Sequence, residues 1–172
     1  PMPYAGSRQE STIHPSWPQS GFLARIAGKA PEKVLEVILA IPRSDNYRVH
    51  QDFAEAAQKM PPDLASRLAR REASWVLGQQ TLPLNIAEGL GKLLDRLSNA
   101  RQKQIALELA GALLDVRCHA STTGEQEGAR ARAGPKALFD IWQYERILQE
   151  DMGALFRKAS VETLSLLCML LE

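Results

Sequence analysis

The chain has 172 residues, of which 45% are hydrophobic and 24% are charged, as is usual for a globular domain with a buried core. Its 21 basic and 20 acidic residues leave a net charge of +1, which argues against the strongly basic surface typical of nucleic-acid-binding domains. No run reaches the roughly 18 apolar residues of a membrane span, and no signal peptide is recognisable. We therefore expect a cytoplasmic protein without membrane segments.

Residues 1–16 contain several prolines and polar residues without hydrophobic periodicity. This composition predicts a flexible N-terminal arm. The remaining residues, 17–172, are expected to form a single helical repeat domain. The sequence begins at Pro1, so we expect that an initiator Met was removed or that the chain belongs to a longer protein.

Prolines and capping residues divide the domain into about eight predicted helices joined mostly by short turns. Ser16 and Gln19 match a capping box for the first helix. Pro31 suits the first turn of the second helix, and Pro42 ends it. The third helix has three candidate N-caps, which are Ser44, Asp45 and Asn46. The first, second, fourth and fifth predicted helices cover residues 18–29, 31–41, 62–77 and 83–98. The third ends near residue 60, and the sixth includes residues 105–116. The seventh covers residues 135–158, and the eighth starts at residue 160.

Apolar residues recur at steps of three and four in these segments, which predicts amphipathic helices and leaves no competing strand pattern. Gly89 and Gly91 interrupt the fifth helix but would permit close helix approach, and Gly153 is expected to kink or split the seventh. The two cysteines are expected to be small buried hydrophobes, with a single disulfide as the alternative. The main predicted inward positions are Phe22, Leu23, Ile26, Val34, Leu35, Ile38, Leu39, Val49, Phe53, Leu64, Leu68, Trp75, Ile86, Leu90, Leu94, Ile105, Leu109 and Leu155.

Residues 119–134 have no apolar side chain larger than alanine and are expected to form a mobile loop. The last helix is apolar on nearly every side, which is the reverse of the polar cap that usually closes a helical stack. We therefore expect a fragment of a longer array, or self-association through this helix. The residues expected at such a contact are Leu164, Leu167, Met169 and Leu171.

The stretch VLEVILAIPRSDNYRVHQDFAEAAQKM resembles a HEAT-type repeat. The resemblance lies in an apolar first helix, a turn with Pro42 and Asp45, and a second helix rich in small residues. The order Arg48-Val49 departs from the more usual Val-Arg. A member of the HEAT/armadillo-like α-solenoids would be an all-α, right-handed stack of antiparallel helix pairs. The resemblance also implies a non-catalytic protein-interaction or scaffold module within a larger multidomain protein.

No catalytic or cofactor motif is evident. Cys118 and His119 are the only adjacent metal-ligand pair, and a structural zinc site needs two such pairs. Glu150 and Asp151 are expected to be surface charges. We therefore expect no enzyme activity, no cofactor and no metal.

Two small basic groups are the candidate partner-binding residues. Arg67, Arg70 and Arg71 recur at helical spacing, and Arg130 and Arg132 follow in the predicted loop. The expected partner is a protein or peptide bound along an exposed helix face. The alternative is a HEAT-like domain that grips nucleic acid with these arginines.

Overall fold

A computed structural model describes residues 16–79, 82–114 and 145–171. Within these residues the protein is all-α, with eight α-helices, one π-helical turn and no strand. The predicted loop and all of the predicted arm except Ser16 lie outside the described residues. The same is true of Cys118, His119, Arg130 and Arg132. The elements are α1 (Pro18–Ile26), α2 (Pro31–Ala40), α3 (Tyr47–Lys59), α4 (Pro62–Val76), α5 (Leu84–Asn99), α6 (Lys103–Leu114), the π-helical turn (Ile147–Asp151), α7 (Gly153–Lys158) and α8 (Ser160–Leu171).

Proline and asparagine set most of the helix starts, as predicted. Pro18, Pro31 and Pro62 each occupy the first helical position, where a missing N–H leaves no carbonyl unpaired. Asn46 is the N-cap of α3, and its side-chain oxygen accepts a hydrogen bond from the amide of Arg48 at 3.0 Å. These local signals explain why the predicted and observed bounds agree within a few residues.

The predicted capping box at the first helix is wrong. The N-cap of α1 is Trp17, which makes no side-chain capping bond. The hydroxyl oxygen of Ser20, inside the helix, lies 2.8 Å from the carbonyl oxygen of Trp17. α1 therefore begins at Pro18 without the side-chain cap that the sequence pattern assigned to Ser16 and Gln19.

Helices two apart in the chain pack side by side. α3 packs against α1 and α5, while α4 packs against α2 and α6. Near the C-terminal end of the described chain, α7 packs on α5 and α8 packs on α6. Contacts between α3 and α4 and between α5 and α6 join the two sets. Each central helix is thus covered on more than one side.

Small residues allow this packing to be close. A Cβ on Gly89 of α5 would lie 3.4 Å from the Cβ of Ala54 on α3, which is ordinary contact distance. Burial of each large aliphatic side chain contributes about 1.5–3 kcal/mol to folding. The largest fully buried side chains are Leu35, Ile38, Phe53, Met60, Leu68, Ile86, Leu90, Leu93, Leu94, Leu97, Leu109 and Leu113.

Basic side chains also tie helices two apart together. In each case a Lys or Arg donates hydrogen bonds to carbonyl oxygens at or near the C-terminal end of the helix two places earlier, where carbonyls lack intrahelical partners and the helix dipole is negative. The pairs are Lys59 with Ala24, Arg71 with Ile38 and Ile41, Arg96 with Ala57 and Met60, and Lys158 with Asn99.

The structure confirms one further expectation and contradicts two others. The predicted seventh helix is split as expected, because Met152 separates the π-helical turn from α7, which begins at Gly153. Cys168, expected to be buried, is instead an exposed free thiol. Leu39, expected to face inward, is 39% exposed. The stripe of α2 therefore covers fewer positions than its sequence suggests.

Candidate functional site

The α1–α2 end of the described fold carries an open apolar groove. Phe22 of α1, expected to face inward, is instead 52% exposed, and Val37 of α2 is 47% exposed. The groove has a volume of about 480 Å³ and is also lined by Trp17, Leu23 and Ile41. Exposed large apolar side chains that are contiguous, unlike scattered ones, commonly mark an interaction surface. This groove is the candidate functional site.

A second groove adjoins the first along the turn between α2 and α3. Its volume is about 400 Å³, and it shares Trp17 and Ile41 with the apolar groove. Its other lining residues are more polar and come mostly from the turn: Ser16, Pro42, Arg43, Ser44, Asn46 and Val49. The two grooves meet at Trp17 and Ile41, and both have a mainly apolar lining.

The α2–α3 turn is shaped by its own side chains. Pro42 follows α2, and the backbone then runs to the N-cap Asn46. The hydroxyl oxygen of Ser44 accepts a hydrogen bond from the amide of Asn46 at 3.1 Å. Side-chain oxygens of Ser and Asn that bond to nearby backbone amides stabilise turns of this kind. The wall of the second groove is therefore an ordered turn.

A buried histidine holds this turn to α4. The Nε2 of His50 lies 2.8 Å from the carbonyl oxygen of Ser44. Its Nδ1 lies 2.7 Å from Oε2 of Glu72 on α4. The side chains of His50 and Glu72 are 3% and 0% exposed. His50 thus bridges the turn and α4 from inside the protein.

Aromatic rings enclose the histidine. The indole of Trp75 stacks on His50 with ring centroids 3.7 Å apart and an interplanar angle of 8°. Phe53 meets His50 edge-on at 5.8 Å, and the guanidinium of Arg71 lies 5.3 Å from the Phe53 centroid. Stacked and edge-to-face rings are favourable arrangements. The imidazole therefore has little room to rotate.

Burial raises the pKa of Glu72 above its ordinary value. The hydrogen bond from His50, the charge of His50 and the charge of Arg71 act in the opposite direction but are smaller effects. Oε1 of Glu72 and Nε1 of Trp75 are buried, and neither contacts a hydrogen-bond partner within the described residues. The carboxyl therefore depends on one strong contact, the one with His50.

The three arginines of α4 make different contacts. Arg71 turns inward and donates to the carbonyl oxygens of Ile38 and Ile41 at the end of α2. The Nε of Arg70 lies 3.1 Å from Oε2 of Glu108 on α6, and Arg67 is exposed. Partner binding by Arg67, Arg70 and Arg71 stays a prediction.

The last helix presents a second apolar patch. Val161 and Leu164 are 71% and 57% exposed, and Cys168 is exposed as well. Leu167 is half-buried and packs against the core. The side chains of Met169 and Leu171, which were also predicted at this contact, lie outside the described residues. Self-association through this helix therefore stays a prediction.

The described residues bring no three His, Cys, Asp or Glu side chains into a metal-binding arrangement. No helix in the described part of the chain is both long and apolar enough to cross a bilayer. Among the predicted surface charges, Glu150 is exposed, but Asp151 is half-buried and lies against Gly91 of α5. The prediction was wrong for Asp151, since the π-helical turn points its carboxyl toward α5.

Sequence reasoning missed the pairing of His50 with Glu72. One signal was available, because Glu72 occupies the apolar stripe of α4, four residues from both Leu68 and Val76. A charged residue in a buried stripe usually has a partner. The identity of that partner, on another helix, could not be deduced from spacing.

No protein-family model, curated protein or solved structure matches this chain. The residues and their geometry are therefore the basis of the functional argument.

Proposed function

We propose that this chain is a non-catalytic protein-interaction module and part of a larger protein. The observation that carries the proposal is the apolar groove of Trp17, Phe22, Leu23, Val37 and Ile41, which opens beside the polar α2–α3 turn. Helical modules that expose an apolar groove commonly bind the apolar face of a partner helix. The residues that line the groove include no cluster of polar side chains of the kind that forms a catalytic site.

The proposed architecture is a right-handed α-solenoid of HEAT-like helix pairs. Two observations support it. Helices two apart in the chain pack side by side, as expected when equivalent helices of successive pairs stack. Lysine or arginine side chains also bridge the same pairs of helices, so one kind of contact recurs along the stack. The hand of the stack is taken from the family resemblance of residues 31–60.

The partner that fits the groove is an amphipathic helix with acidic flanks. Phe22 and Val37 offer apolar contact to such a helix. The guanidinium of Arg25 lies 6.0 Å from the centre of the Phe22 ring, and Arg43 lines the adjoining groove. These two cations at the rim would attract carboxylates on the polar face of the partner. We therefore propose a protein partner of this chemistry.

The test compares three forms of the full chain as bait in a cell extract treated with nuclease. Phe22→Asp places a charge in the groove, while Leu84→Asp places one at an exposed leucine at the start of α5, outside the groove. Circular dichroism first establishes that all three are folded. We expect the wild type and Leu84→Asp to retain the same proteins and Phe22→Asp to lose them.

The identity of the retained proteins adds a second criterion. A directly binding partner should contain an amphipathic helix with an acidic polar face, and a peptide of that helix should compete with it. Retention of the same proteins by all three baits would contradict the groove as the binding site. Recovery of nucleic acid alone, from an extract without nuclease, would contradict the proposal as a whole.

Nucleic-acid binding is the alternative function. Exposed Arg67 and Arg70 on α4 would serve it, together with Arg130 and Arg132. It is less favoured because Arg70 pairs with Glu108 and Arg71 donates to backbone carbonyls. Such binding would weaken steeply as salt is raised, because counterions are released from the phosphate backbone. A gel-shift titration at low and moderate salt would reveal it.

A further inference from the structure

The hydrogen bonds of His50 require one shared proton. The carbonyl oxygen of Ser44 can only accept, so Nε2 of His50 must carry a hydrogen and donate it. Nδ1 faces Oε2 of Glu72 at 2.7 Å, and a bond of that length needs a proton between the two atoms. Whether that proton is written on His50 or on Glu72, the pair as a whole is neutral.

Burial prevents this proton from leaving while the pair stays in place. Without it, a carboxylate would face the lone pair of Nδ1 in a site where both side chains are almost completely buried. An unpaired buried charge of this kind is far more costly than a neutral pair. The proton can therefore leave readily only when the site opens and water reaches both groups.

The charged groups around the pair do not replace the proton. Arg71 of α4 is the other cation that acts on Glu72, and its effect is smaller than that of burial. It is held by the carbonyl of Ile41 at the end of α2. In the turn itself, Arg43 and Asp45 are exposed.

Several charged side chains of α3 and α5 contact groups other than the His50–Glu72 pair. Asp52 of α3 accepts a hydrogen bond from Ser20 of α1. Arg48 lies over the ring of Tyr47, with 5.9 Å between its central guanidinium carbon and the ring centroid. On α5, Arg96 donates to carbonyl oxygens at the end of α3, and Glu88 pairs with Arg146.

We propose that His50 and Glu72 form a proton-dependent latch that holds the α2–α3 turn onto α4. The latch is closed when the pair holds one proton, and its opening becomes easier as the pH rises above the range in which a solvated histidine loses its proton. The turn lines the second groove through Ser44 and Asn46, so its release would reshape that wall. The latch itself does not depend on whether the groove binds a partner.

The number of protons bound in the open and closed forms determines how opening depends on pH. Solvated histidine and glutamate side chains have ordinary pKa values of about 6.5 and about 4.3–4.5. Between these two pH values the open pair therefore holds one proton, as the closed pair does. Above about pH 6.5 the open pair loses that proton and the closed pair keeps it, so opening becomes easier by up to tenfold per pH unit. Below about pH 4 the open pair gains a second proton, and opening becomes easier again.

Hydrogen exchange of the turn amides measures this opening. The amides of Asn46, Arg48 and Val49 bond within the turn and the first turn of α3, so they report on its integrity. After correction for the intrinsic exchange rate, we expect their protection factors to fall about 25-fold between pH 6 and pH 8. Protection that does not change with pH in the wild type would overturn the proposal.

The variant Glu72→Gln tests whether the contact depends on a shared proton or is purely structural. The amide of glutamine can donate to neutral Nδ1 and preserve both hydrogen bonds of His50. The closed variant then holds a neutral histidine, so protection should rise about fourfold from pH 6 to pH 8, the reverse of the wild type. Glu108→Gln, on α6, is the matched control and should keep the wild-type profile. Should Glu72→Gln fail to fold, the profile of Asp151→Asn, which lacks the titration of Asp151, decides: loss of its pH dependence would overturn the proposal.

Discussion

Gly91 of α5 and Asp151 of the π-helical turn lie in direct contact, and the contact exists because Gly91 has no side chain. A Cβ at position 91 would overlap the Asp151 carboxyl group. Oδ2 of Asp151 is buried and contacts no hydrogen-bond partner within the described residues. A carboxyl group thus fills space that alanine would occupy.

A double-mutant cycle should reveal this contact as a coupling energy. In the wild-type background we expect Gly91→Ala to lower the free energy of unfolding by about 1–3 kcal/mol, because it overpacks the contact with Asp151. In an Asp151→Ala background the same change should instead raise it by about 0.5–1 kcal/mol, since alanine favours the helix over glycine. Urea denaturation of the four proteins gives the cycle.

Gly89→Ala is the internal control for this cycle. Its Cβ would meet Ala54 at an ordinary distance of 3.4 Å, so only the helix-forming gain is expected. If the effects of Gly91→Ala and Asp151→Ala simply add, the two residues do not interact as the structure indicates.

The stability of the protein should fall as Asp151 ionises. Burial raises the pKa of Asp151 from 3.8 to about 6, helped by the charges of Glu150 and Asp95, while Arg146 and Lys92 oppose the shift. A carboxyl with a raised pKa contributes its full stability below pH 3.8, and this contribution is lost as the pH rises through about 6.

Asp151→Asn removes this titration and should therefore be more stable than the wild type at pH 7. A shift of this size corresponds to at most about 3 kcal/mol, and since the side chain is half-exposed we expect about 1–2 kcal/mol. Urea denaturation at pH 4, 5, 6 and 7 checks this, with exposed Asp63→Asn as control. A constant difference between wild type and Asp151→Asn across this range would refute the assignment.

Arg71 is expected to matter for stability, whatever it contributes to binding. Its guanidinium donates to two carbonyl oxygens at the end of α2. A hydrogen bond from a charged donor contributes about 1.5–3 kcal/mol, and two bonds of one side chain contribute less than their sum. We expect Arg71→Met to lower the free energy of unfolding by about 2–3 kcal/mol. The exposed Arg67→Met should change it little. Equal effects of the two changes in urea denaturation would show that the carbonyl contacts do not stabilise the fold.

The apolar patch of α8 predicts weak self-association. Leu164 and Val161 are among the most exposed large hydrophobic side chains of the described residues. Sedimentation velocity should show a concentration-dependent dimer or oligomer in the wild type. Leu164→Asp should abolish it, whereas Ser165→Asp, at an exposed polar position in the same helix, should not. A monomer at all concentrations would contradict this prediction.

The α2–α3 turn and the apolar groove show which structural features could be predicted from the sequence and which could not. Asn46 and the prolines act on backbone groups within a few residues, so the helix bounds follow from local chemistry. Phe22 and Leu23 are adjacent in the same apolar stripe, yet only Leu23 is buried. Periodicity identifies an apolar face, but which part of it meets another helix depends on where that helix lies.

The sequence by itself determined that the described chain is helical, where its helices start and where glycine allows close approach. These properties depend on proline geometry, capping and apolar spacing, which act over short distances. Only the tertiary structure decided that His50 meets Glu72, that Arg71 turns inward and that Asp151 packs on Gly91. Each of these contacts joins separate elements, and hydrogen bonding, burial and charge act on groups brought together by the packing of helices.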